Sequence, residues 1–216
     1  MAAVTKGSGR YFYDFERVWT EARDTGVLPF WVGKAAADLN LPAQPNQHAV
    51  QSLADGRAYL DRVQKNRVGC YDMTVSFGKS ISLLAYGLTP PKEWKGWTET
   101  LTGIATPEVE KLLGAQRINS GARGNQKLPS RGLAIAFPHR EGKLGQVHAH
   151  IHYAIPNLTR GADGKHGSIG NARELFQAQG VVRARVQKGL DDVLQSRGIE
   201  TVRVGKNVEL AGVPRE

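Results

Sequence analysis

Residues 145–157 read GQVHAHIHYAIPN, and three of the six histidines in the chain stand there at every second position. Side chains alternate between the two faces of a β-strand, so a strand over residues 146–155 places His148, His150 and His152 on one face. The residues between them are apolar or aromatic and form the opposite face. The pattern predicts a strand with one buried apolar face and three imidazoles that project together from the other.

Imidazoles arranged in this way are typical of a metal site. Neutral imidazole is the commonest side-chain ligand for divalent transition metals, and His-x-His on a strand supplies two donors on one side. His139 ends the preceding apolar segment, residues 132–138, which predicts a neighbouring strand and a third ligand. Three protein ligands leave coordination positions open, as in catalytic sites. The alternative is a solvated sheet face whose histidines only titrate, and phosphodiesterases, cupins and other hydrolases also use His-x-His.

The composition indicates a basic protein with an anionic partner. The 216 residues are 40% apolar and carry a formal charge of +9, which favours nucleic acid first and an anionic membrane surface second. No apolar run approaches the roughly 20 residues that span a bilayer, and the first residues lack the apolar core of a signal peptide. A single cysteine, Cys70, excludes an internal disulfide or a cysteine-based zinc site. We expect a cytoplasmic protein without a membrane segment.

Three further segments indicate strands, hairpins or loops. Residues 71–77 (YDMTVSF) alternate apolar and polar side chains and predict a strand with one buried face. Residues 117–131 are rich in Gly, Ser and Asn and carry four basic side chains, which indicates a basic hairpin or a mobile loop. The last strands, IETVRV and NVEL, flank Gly205-Lys206 as a hairpin.

Three helices are predicted after the first strand pattern. Residues 79–88 form a short buried helix, and residues 106–116 begin a helix with Thr106 as its N-cap. The longest helix covers residues 171–198, where Asn171 and the glutamate three residues later resemble a capping box. Strands and helices interleave irregularly and neighbouring strands join by short turns. The fold class is therefore α+β, with a central, mainly antiparallel β-sheet flanked by helices.

Four segments resemble, in order, those of the HUH endonucleases, specifically conjugative relaxases of the MobF (TrwC/TraI) type. They are FWVGKAAADLNLP (30–42), YDMTVSFGKSISLLA (71–85), AFPHREGKLGQVHAHIHYAIPNLT (136–159) and GIETVRVGKNVELAGVPRE (198–216). The resemblance implies an HUH relaxase fold with a ferredoxin- or RRM-like core. Relatives usually continue into a helicase domain, but no P-loop motif occurs here. We expect residues 1–216 to be a single relaxase domain with no helicase domain.

The resemblance also implies a metal triad. When the segment is aligned on Asn157 and Thr159, the triad falls on His139, His150 and His152. His148 is then an additional histidine on the same face, either beside the ligands or facing DNA.

The segment at residues 71–85 contributes two further candidates. The resemblance implies that the Asp72 carboxylate lies beside the histidines, where it orients a ligand or helps to take a tyrosine proton. The alternative for Asp72 is an acid paired with a neighbouring arginine or lysine. Lys79 stands at the family's lysine and is a candidate phosphate contact, with a solvent-facing helix residue as the alternative.

The resemblance places the nucleophile among the tyrosines near the amino end. Only Tyr11 and Tyr13 precede the segment at 30–42, and Tyr13 has the family's spacing from Trp31. Tyr13 is the first candidate and Tyr11 the second. Relatives typically carry adjacent tyrosines and a second pair, whereas this chain has Tyr-Phe-Tyr and no second pair, which favours a single strand-transfer tyrosine. The alternative is that these aromatic residues pack a terminal strand.

The implied activity is metal-dependent, sequence-specific nicking of single-stranded DNA and strand transfer through a 5′-phosphotyrosyl intermediate, as in plasmid mobilisation. The expected cofactor is a divalent ion, Mg²⁺ or Mn²⁺ in use, with Zn²⁺, Ni²⁺ or Co²⁺ able to occupy the site. Expected partners are an origin-of-transfer-like DNA site and accessory DNA-processing proteins, and the chain is expected to be a monomer. Alternatives are a rolling-circle replication initiator or transposase, a DNA-binding module that has lost nicking, and a plain metallohydrolase.

Basic and aromatic side chains are candidates for DNA contacts. Trp94 and Trp97 offer stacking surfaces for bases, with core packing as the alternative. The basic candidates for tracking the DNA backbone, each with a solvated surface charge as the alternative, are Lys79, Arg117, Arg123, Lys127, Arg131, Arg183, Arg185 and Lys188.

Overall fold

The computed structural model describes residues 2–7, 15–61, 63, 67–120, 126–142 and 144–214. Its strands are β1 (Ala2–Gly7), β2 (Phe30–Val32), β3 (Cys70–Ser76), β4 (Arg117–Ser120), β5 (Gln126–Arg131), β6 (Ala134–Glu141), β7 (Val147–Pro156), β8 (Thr159–Gly161), β9 (His166–Gly167), β10 (Thr201–Val204) and β11 (Asn207–Leu210). Its helices are α1 (Phe15–Asp24), α2 (Ala35–Asp38), α3 (Gln47–Asp55), α4 (Lys79–Ser82), α5 (Trp94–Gly114) and α6 (Ala172–Ser196). A π-helical turn, Leu83–Gly87, extends α4, and a 3-10 turn, Pro91–Glu93, precedes α5.

The central sheet has five strands in the order β1-β3-β7-β6-β2, and each neighbouring pair is antiparallel. The predicted strand of alternating histidines is β7, at the centre of this sheet. His139 on β6 lies directly opposite His150, and Phe137 lies opposite His152. The predicted α+β class with a mainly antiparallel sheet flanked by helices is confirmed.

The two faces of the central sheet bury different side chains. On one face, Met73 of β3 and Ile151 and Tyr153 of β7 belong to the main core, to which α5 and α6 also contribute. On the other face, Phe137 belongs to a smaller apolar cluster that Trp19 of α1 packs against. The histidines project from this second face, so α1 covers part of the surface on which they lie. The predicted alternation of β7 is confirmed, since its apolar residues face the main core.

The basic segment between residues 117 and 131 forms a hairpin rather than a loop. Strands β4 and β5 pair with Arg117 opposite Pro129, and β8 and β9 complete a second sheet in the order β4-β5-β8-β9. The prediction of a basic hairpin is confirmed for its two strands, and Arg123 lies outside the described residues. Because β5 leads after two residues into β6, the hairpin is joined directly to the strand that carries His139.

The predicted start of a helix at Thr106 is wrong. Helix α5 begins at Trp94 and continues through Pro107 to Gly114, so Thr106 lies in its interior. Its side chain points to the sheet, where its hydroxyl lies 3.1 Å from the Tyr153 hydroxyl. A proline inside a helix costs about 3 kcal/mol because one backbone hydrogen bond is lost. The burial of apolar side chains at every fourth position on both sides of the proline outweighs that cost. The buried side chains of this stripe are Leu101, Ala105, Val109 and Leu113.

The predicted capping box at the start of α6 is also not formed. Asn171 is the N-cap, but its side chain makes no capping hydrogen bond to the helix backbone. Instead, its carbonyl oxygen accepts from the backbone N–H of Arg117 at 2.8 Å, and its amide donates to Glu174 at 2.6 Å. The asparagine therefore ties α6 to the second sheet. Gly198, with φ of 72°, follows the end of α6 as predicted.

The hairpin of β10 and β11 holds α4 against β7. The Glu209 carboxylate accepts from the backbone N–H groups of Lys79 at 3.1 Å and Ser80 at 2.9 Å. Gly78 leaves room for this carboxylate, since a Cβ on it would lie 2.5 Å from a Glu209 oxygen and would displace that side chain. At the other end of α4, the Ser82 hydroxyl accepts from the backbone N–H of Ala149 on β7 at 2.9 Å. Glu209 therefore fixes α4 beside the histidine strand.

No helix in the described part of the chain is long and apolar enough to span a bilayer.

Candidate metal centre

Three imidazoles converge on one point of the central sheet. His139, His150 and His152 each offer a ring nitrogen, and these three atoms all lie within 4.8 Å of one another. The ring centroids are 5.2 Å apart for His139 and His150 and 5.0 Å apart for His150 and His152. The pairing of β6 with β7 produces this arrangement, because it sets His139 directly across from His150. A single cation at this point is within reach of all three side chains.

Two of these rings are oriented by acceptors from the sheet itself. Nδ1 of His152 lies 2.9 Å from a carboxylate oxygen of Asp72 on β3 and 3.1 Å from the Thr74 hydroxyl. Nδ1 of His150 lies 2.9 Å from the carbonyl oxygen of His148. In each ring the Nδ1 proton is directed to an acceptor, which leaves the Nε2 lone pair for a metal. Asp72 thus contacts a histidine, and not the arginine or lysine of the alternative interpretation, within the described residues.

The third ring has a partner that the sequence did not identify. His139 is 1% exposed, and its Nδ1 lies 3.3 Å from a carboxylate oxygen of Glu21 on α1. Nothing in the sequence distinguishes Glu21 from the other acids of an amphipathic helix. Only the packing of α1 against β6, with the Trp19 ring edge-on to Phe137 at 6.2 Å, brings it to the histidines.

The electrostatics at His150 favour a neutral ligand. Burial, and secondly the neighbouring His152, lowers the pKa of His150 to about 4. The His150 imidazole is therefore neutral at pH 7 and keeps a lone pair to donate. Because neutral imidazoles add no negative charge, a divalent ion held by three of them keeps its full positive charge.

His148 and Lys79 lie at the rim of the cluster. The His148 ring centroid is 5.2 Å from that of His150, but His148 does not share the point where the other three converge. Burial lowers the pKa of His148. The Lys79 ammonium donates to the carbonyl oxygen of Val147 at 2.9 Å, and its side chain is exposed. The two side chains together present hydrogen-bond donors beside the candidate ligands.

Asn157 and Thr159, which set the alignment of the triad, bind other parts of the chain. The Asn157 carbonyl oxygen accepts from the backbone N–H of Ile169 at 3.0 Å, and its amide donates to the carbonyl of Val68 at 2.9 Å. The Thr159 hydroxyl donates to the carbonyl oxygen of Arg131 at 2.9 Å. These side chains fix the end of β7 and therefore its register.

The structure does not bring the remaining described candidates to the histidines. Tyr11 and Tyr13, like Arg123, lie outside the described residues. Arg117 and Lys127 are exposed on the basic hairpin, where Arg131 pairs with Asp38 at 3.4 Å. Three of the basic candidates lie on α6, the helix that packs on the apolar face of the sheet; these are Arg183, Arg185, which pairs with Glu108 at 3.3 Å, and Lys188, which pairs with Asp192 at 2.6 Å.

The two candidate stacking tryptophans pack against the main core and are only partly exposed. The Trp94 indole N–H donates to the carbonyl oxygen of Thr89 at 3.0 Å, and the Arg140 guanidinium lies 4.5 Å from the Trp94 ring centroid. The Arg197 guanidinium lies 5.4 Å from the Trp97 ring centroid. Both rings therefore have partners within the fold, which favours the core-packing interpretation.

The fold and the histidine cluster together define a class of protein. In this class, histidines on one face of an antiparallel sheet can hold a cation and leave some of its coordination positions open. The family model described as TrwC relaxase matches residues 6–216. The chain therefore belongs to the TrwC relaxase family, whose members nick DNA and transfer the cut strand in conjugation. A search of curated proteins finds no significant match.

Solved structures of a conjugative relaxase, TrwC, have the same fold. A metal-bound complex of TrwC with oriT DNA matches with a TM-score of 0.84 and 18% identity, covering 100% of this chain and 77% of that one. A copper-bound complex matches at 0.82 and 20%, with 100% and 77% covered. A complex with a 27-mer DNA that comprises the recognition hairpin and the cleavage site matches at 0.81 and 19%, with 100% and 76% covered.

Proposed function

We propose that this relaxase nicks single-stranded DNA at a specific site, with His139, His150 and His152 as the ligands of a divalent ion and Tyr13 as the nucleophile. The observation that carries the proposal is the convergence of three ring nitrogens within 4.8 Å on the central strands. The metal-bound and DNA-bound complexes of TrwC support both the ion and the substrate.

The residues present suit a divalent transition metal. Imidazole nitrogens suit Ni²⁺, Cu²⁺ and Zn²⁺, whereas Mg²⁺ and Mn²⁺ suit oxygen ligands. The contacts of His150 and His152 fix the rings so that both Nε2 atoms are available. A divalent ion bound here supplies positive charge to the non-bridging oxygens of a phosphate and stabilises the charge that develops on them. The identity of the ion in use, Mg²⁺ or Mn²⁺ by family resemblance, belongs to the proposal.

The chemistry is transesterification. The phenol oxygen of Tyr13 forms a bond to phosphorus as the bond from phosphorus to the 3′ oxygen breaks. The phenol loses its proton, and the departing 3′ oxygen gains one. A phenol has an unperturbed pKa of about 10, so it needs positive charge near the phosphate to react at neutral pH. The ester bond is conserved as a 5′-phosphotyrosyl link, and reversal of the same step reseals the strand.

The DNA strand follows the basic hairpin towards the histidines in this proposal. Arg117 and Lys127 are exposed on the hairpin, and β5 leads directly into the strand that carries His139. In the same proposal Lys79 and His148, which lie at the rim of the cluster, contact a phosphate next to the one that is cleaved.

Lys127→Gln is expected to weaken binding to single-stranded oligonucleotides of any sequence. Each lost phosphate contact lowers the slope of log K against log salt concentration by about 0.7. Fluorescence anisotropy from low to high salt measures both the affinity and the slope. Lys188→Gln is the matched control, since it removes the same charge from α6, which packs on the apolar face of the sheet. An equal loss in both variants would contradict a DNA path along the hairpin.

One experiment tests the function as a whole. The protein is incubated with labelled single-stranded oligonucleotides from its own genetic element and with Mg²⁺ or Mn²⁺. We expect a covalent adduct that survives SDS and a free 3′-hydroxyl end. Free 5′-phosphate ends without an adduct would contradict strand transfer and indicate hydrolysis. Binding without cleavage of any oligonucleotide would indicate a DNA-binding module.

A further inference from the structure

Helix α1 is attached to the strand of His139 at three places. The Trp19 ring lies edge-on to Phe137 at 6.2 Å, and Ala22 is completely buried. Glu21 lies 3.3 Å from Nδ1 of His139, and Asp24 lies 3.7 Å from Arg140. The contacts to Phe137, His139 and Arg140 fall within four consecutive residues of β6. The helix therefore packs across the end of the strand that bears the most deeply buried of the candidate ligands.

The three candidate ligands differ in where their partners come from. His152 is oriented by Asp72 of β3, and His150 is oriented by the carbonyl of His148 on β7. Both partners belong to the central sheet, in which β3 and β7 pair without interruption from Cys70 to Ser76. The partner of His139 is a side chain of α1. Its position depends on how that helix packs.

The same helix is continuous in sequence with the proposed nucleophile. Helix α1 begins at Phe15, two residues after Tyr13, and Glu21 follows Tyr13 by eight residues. A change in the packing of α1 therefore moves the carboxylate that lies against His139. Because metal binding and the position of α1 both depend on Glu21, each affects the other, and the coupling free energy is the same in both directions.

We infer that Glu21 is a positioning residue that links metal binding at His139 to the docking of α1 against the central sheet; this inference rests on the proposed metal ligands. The carboxylate holds the His139 ring with Nε2 directed at the point where the three nitrogens converge. A carboxylate partner of a ligand histidine typically changes metal affinity by about 10- to 100-fold. Occupation of the centre in turn stabilises the docked position of α1.

The test uses metal binding and hydrogen exchange in the absence of DNA. Glu21→Gln keeps the size of the side chain and removes its charge. We expect it to bind Mn²⁺ about 10-fold more weakly than the unaltered protein, measured from the electron paramagnetic resonance signal of free Mn²⁺. In the unaltered protein Mn²⁺ is expected to slow amide exchange across residues 15–24, and in Glu21→Gln this slowing is expected to disappear. Glu21→Asp, which keeps the charge, is expected to recover part of the affinity.

Asp24→Asn is the matched control. It removes an acid from the same helix that faces Arg140 on the same strand, and it contacts none of the three histidines among the contacts described. We expect it to keep both the Mn²⁺ affinity and the metal-dependent slowing of exchange. Mn²⁺ binding in Glu21→Gln as tight as in Asp24→Asn, or equal slowing of α1 exchange in the two variants, would overturn the inference.

These measurements separate the inference from the proposed function. If the protein forms no DNA adduct but Glu21→Gln still loses Mn²⁺ affinity, the coupling stands and the nicking proposal fails. If adduct formation depends on Tyr13 while Glu21→Gln binds Mn²⁺ normally, the nicking proposal stands and the coupling fails.

Discussion

Tyr13→Phe is expected to abolish the SDS-resistant protein–DNA adduct while DNA binding and metal binding remain unchanged. Phenylalanine keeps the aromatic ring but lacks the oxygen that bonds to phosphorus. Removal of a catalytic nucleophile typically lowers the rate by a factor of about 10³ to 10⁶. Denaturing gel electrophoresis with a 5′- and a 3′-labelled oligonucleotide measures the loss, because only the fragment on the 3′ side of the break, whose 5′ end carries the phosphotyrosyl link, stays with the protein.

Tyr11→Phe is the matched control, since it removes the same oxygen two residues away. It is expected to leave the adduct intact. Loss of the adduct in Tyr11→Phe alone would transfer the role of nucleophile to Tyr11. Survival of the adduct in the double variant would contradict a tyrosine mechanism from this segment. Cleavage without an adduct in Tyr13→Phe would show that water can replace the phenol, as in a metallohydrolase.

The sequence was sufficient to predict the part of the fold that depends on the alternation of side chains between the two faces of a strand. In β7 the face of each residue follows from its position alone, so burial of Ile151 and Tyr153 fixes His150 and His152 on the other side. The proximity of His139 required one more step, the pairing of two strands joined by a short turn. The turn length limits the possible registers, and the observed register sets His139 opposite His150.

The sequence was insufficient to predict features that depend on contacts between residues far apart in the chain. Helix α5 passes through Pro107 because its buried stripe continues on both sides of the proline, and local signals alone favour a helix start at Thr106. Glu209 binds the start of α4 from about 130 residues away. Glu21 reaches His139 only because an entire helix lies against the sheet. Most charged side chains are exposed to solvent. The sequence therefore does not distinguish the few acids that bind another part of the protein from the many that only face water.

Asp72 is an intermediate case. Its place within an apolar strand identified it as unusual, and the family resemblance gave it a role beside the histidines. The alternative of an arginine or lysine partner could not be excluded from the strand pattern. The register of β3 against β7 decides between them, because it sets Thr74 opposite His152 and brings the Asp72 carboxylate to 2.9 Å from Nδ1.

His150→Ala is expected to lower the affinity for Mn²⁺ by more than about 100-fold, beyond the 10- to 100-fold effect of a partner that only orients a ligand. The three rings are almost equidistant, with centroids 5.2 Å apart for His139 and His150, 5.0 Å for His150 and His152 and 5.2 Å for His139 and His152, so loss of His150 removes one of three equivalent donors and leaves two. Adduct formation is expected to fall in parallel at low Mn²⁺ and to recover in part at high Mn²⁺. Titration calorimetry and the labelled-oligonucleotide assay measure the two effects.

His148→Ala is the matched control for this prediction, because it removes an imidazole from the same face of the same strand, two residues away. It is expected to keep the Mn²⁺ affinity, since His148 lies outside the group of converging nitrogens, and to weaken DNA binding only modestly. Equal loss of Mn²⁺ affinity in the two variants would contradict the choice of His139, His150 and His152, and would place the ion between His148 and His150. If only His150→Ala loses Mn²⁺ affinity, the cross-strand pairing of His139 with His150 is the geometric basis of the centre. His148 and His150 lie on the same face of β7, and the feature that distinguishes them is that His150 stands opposite His139.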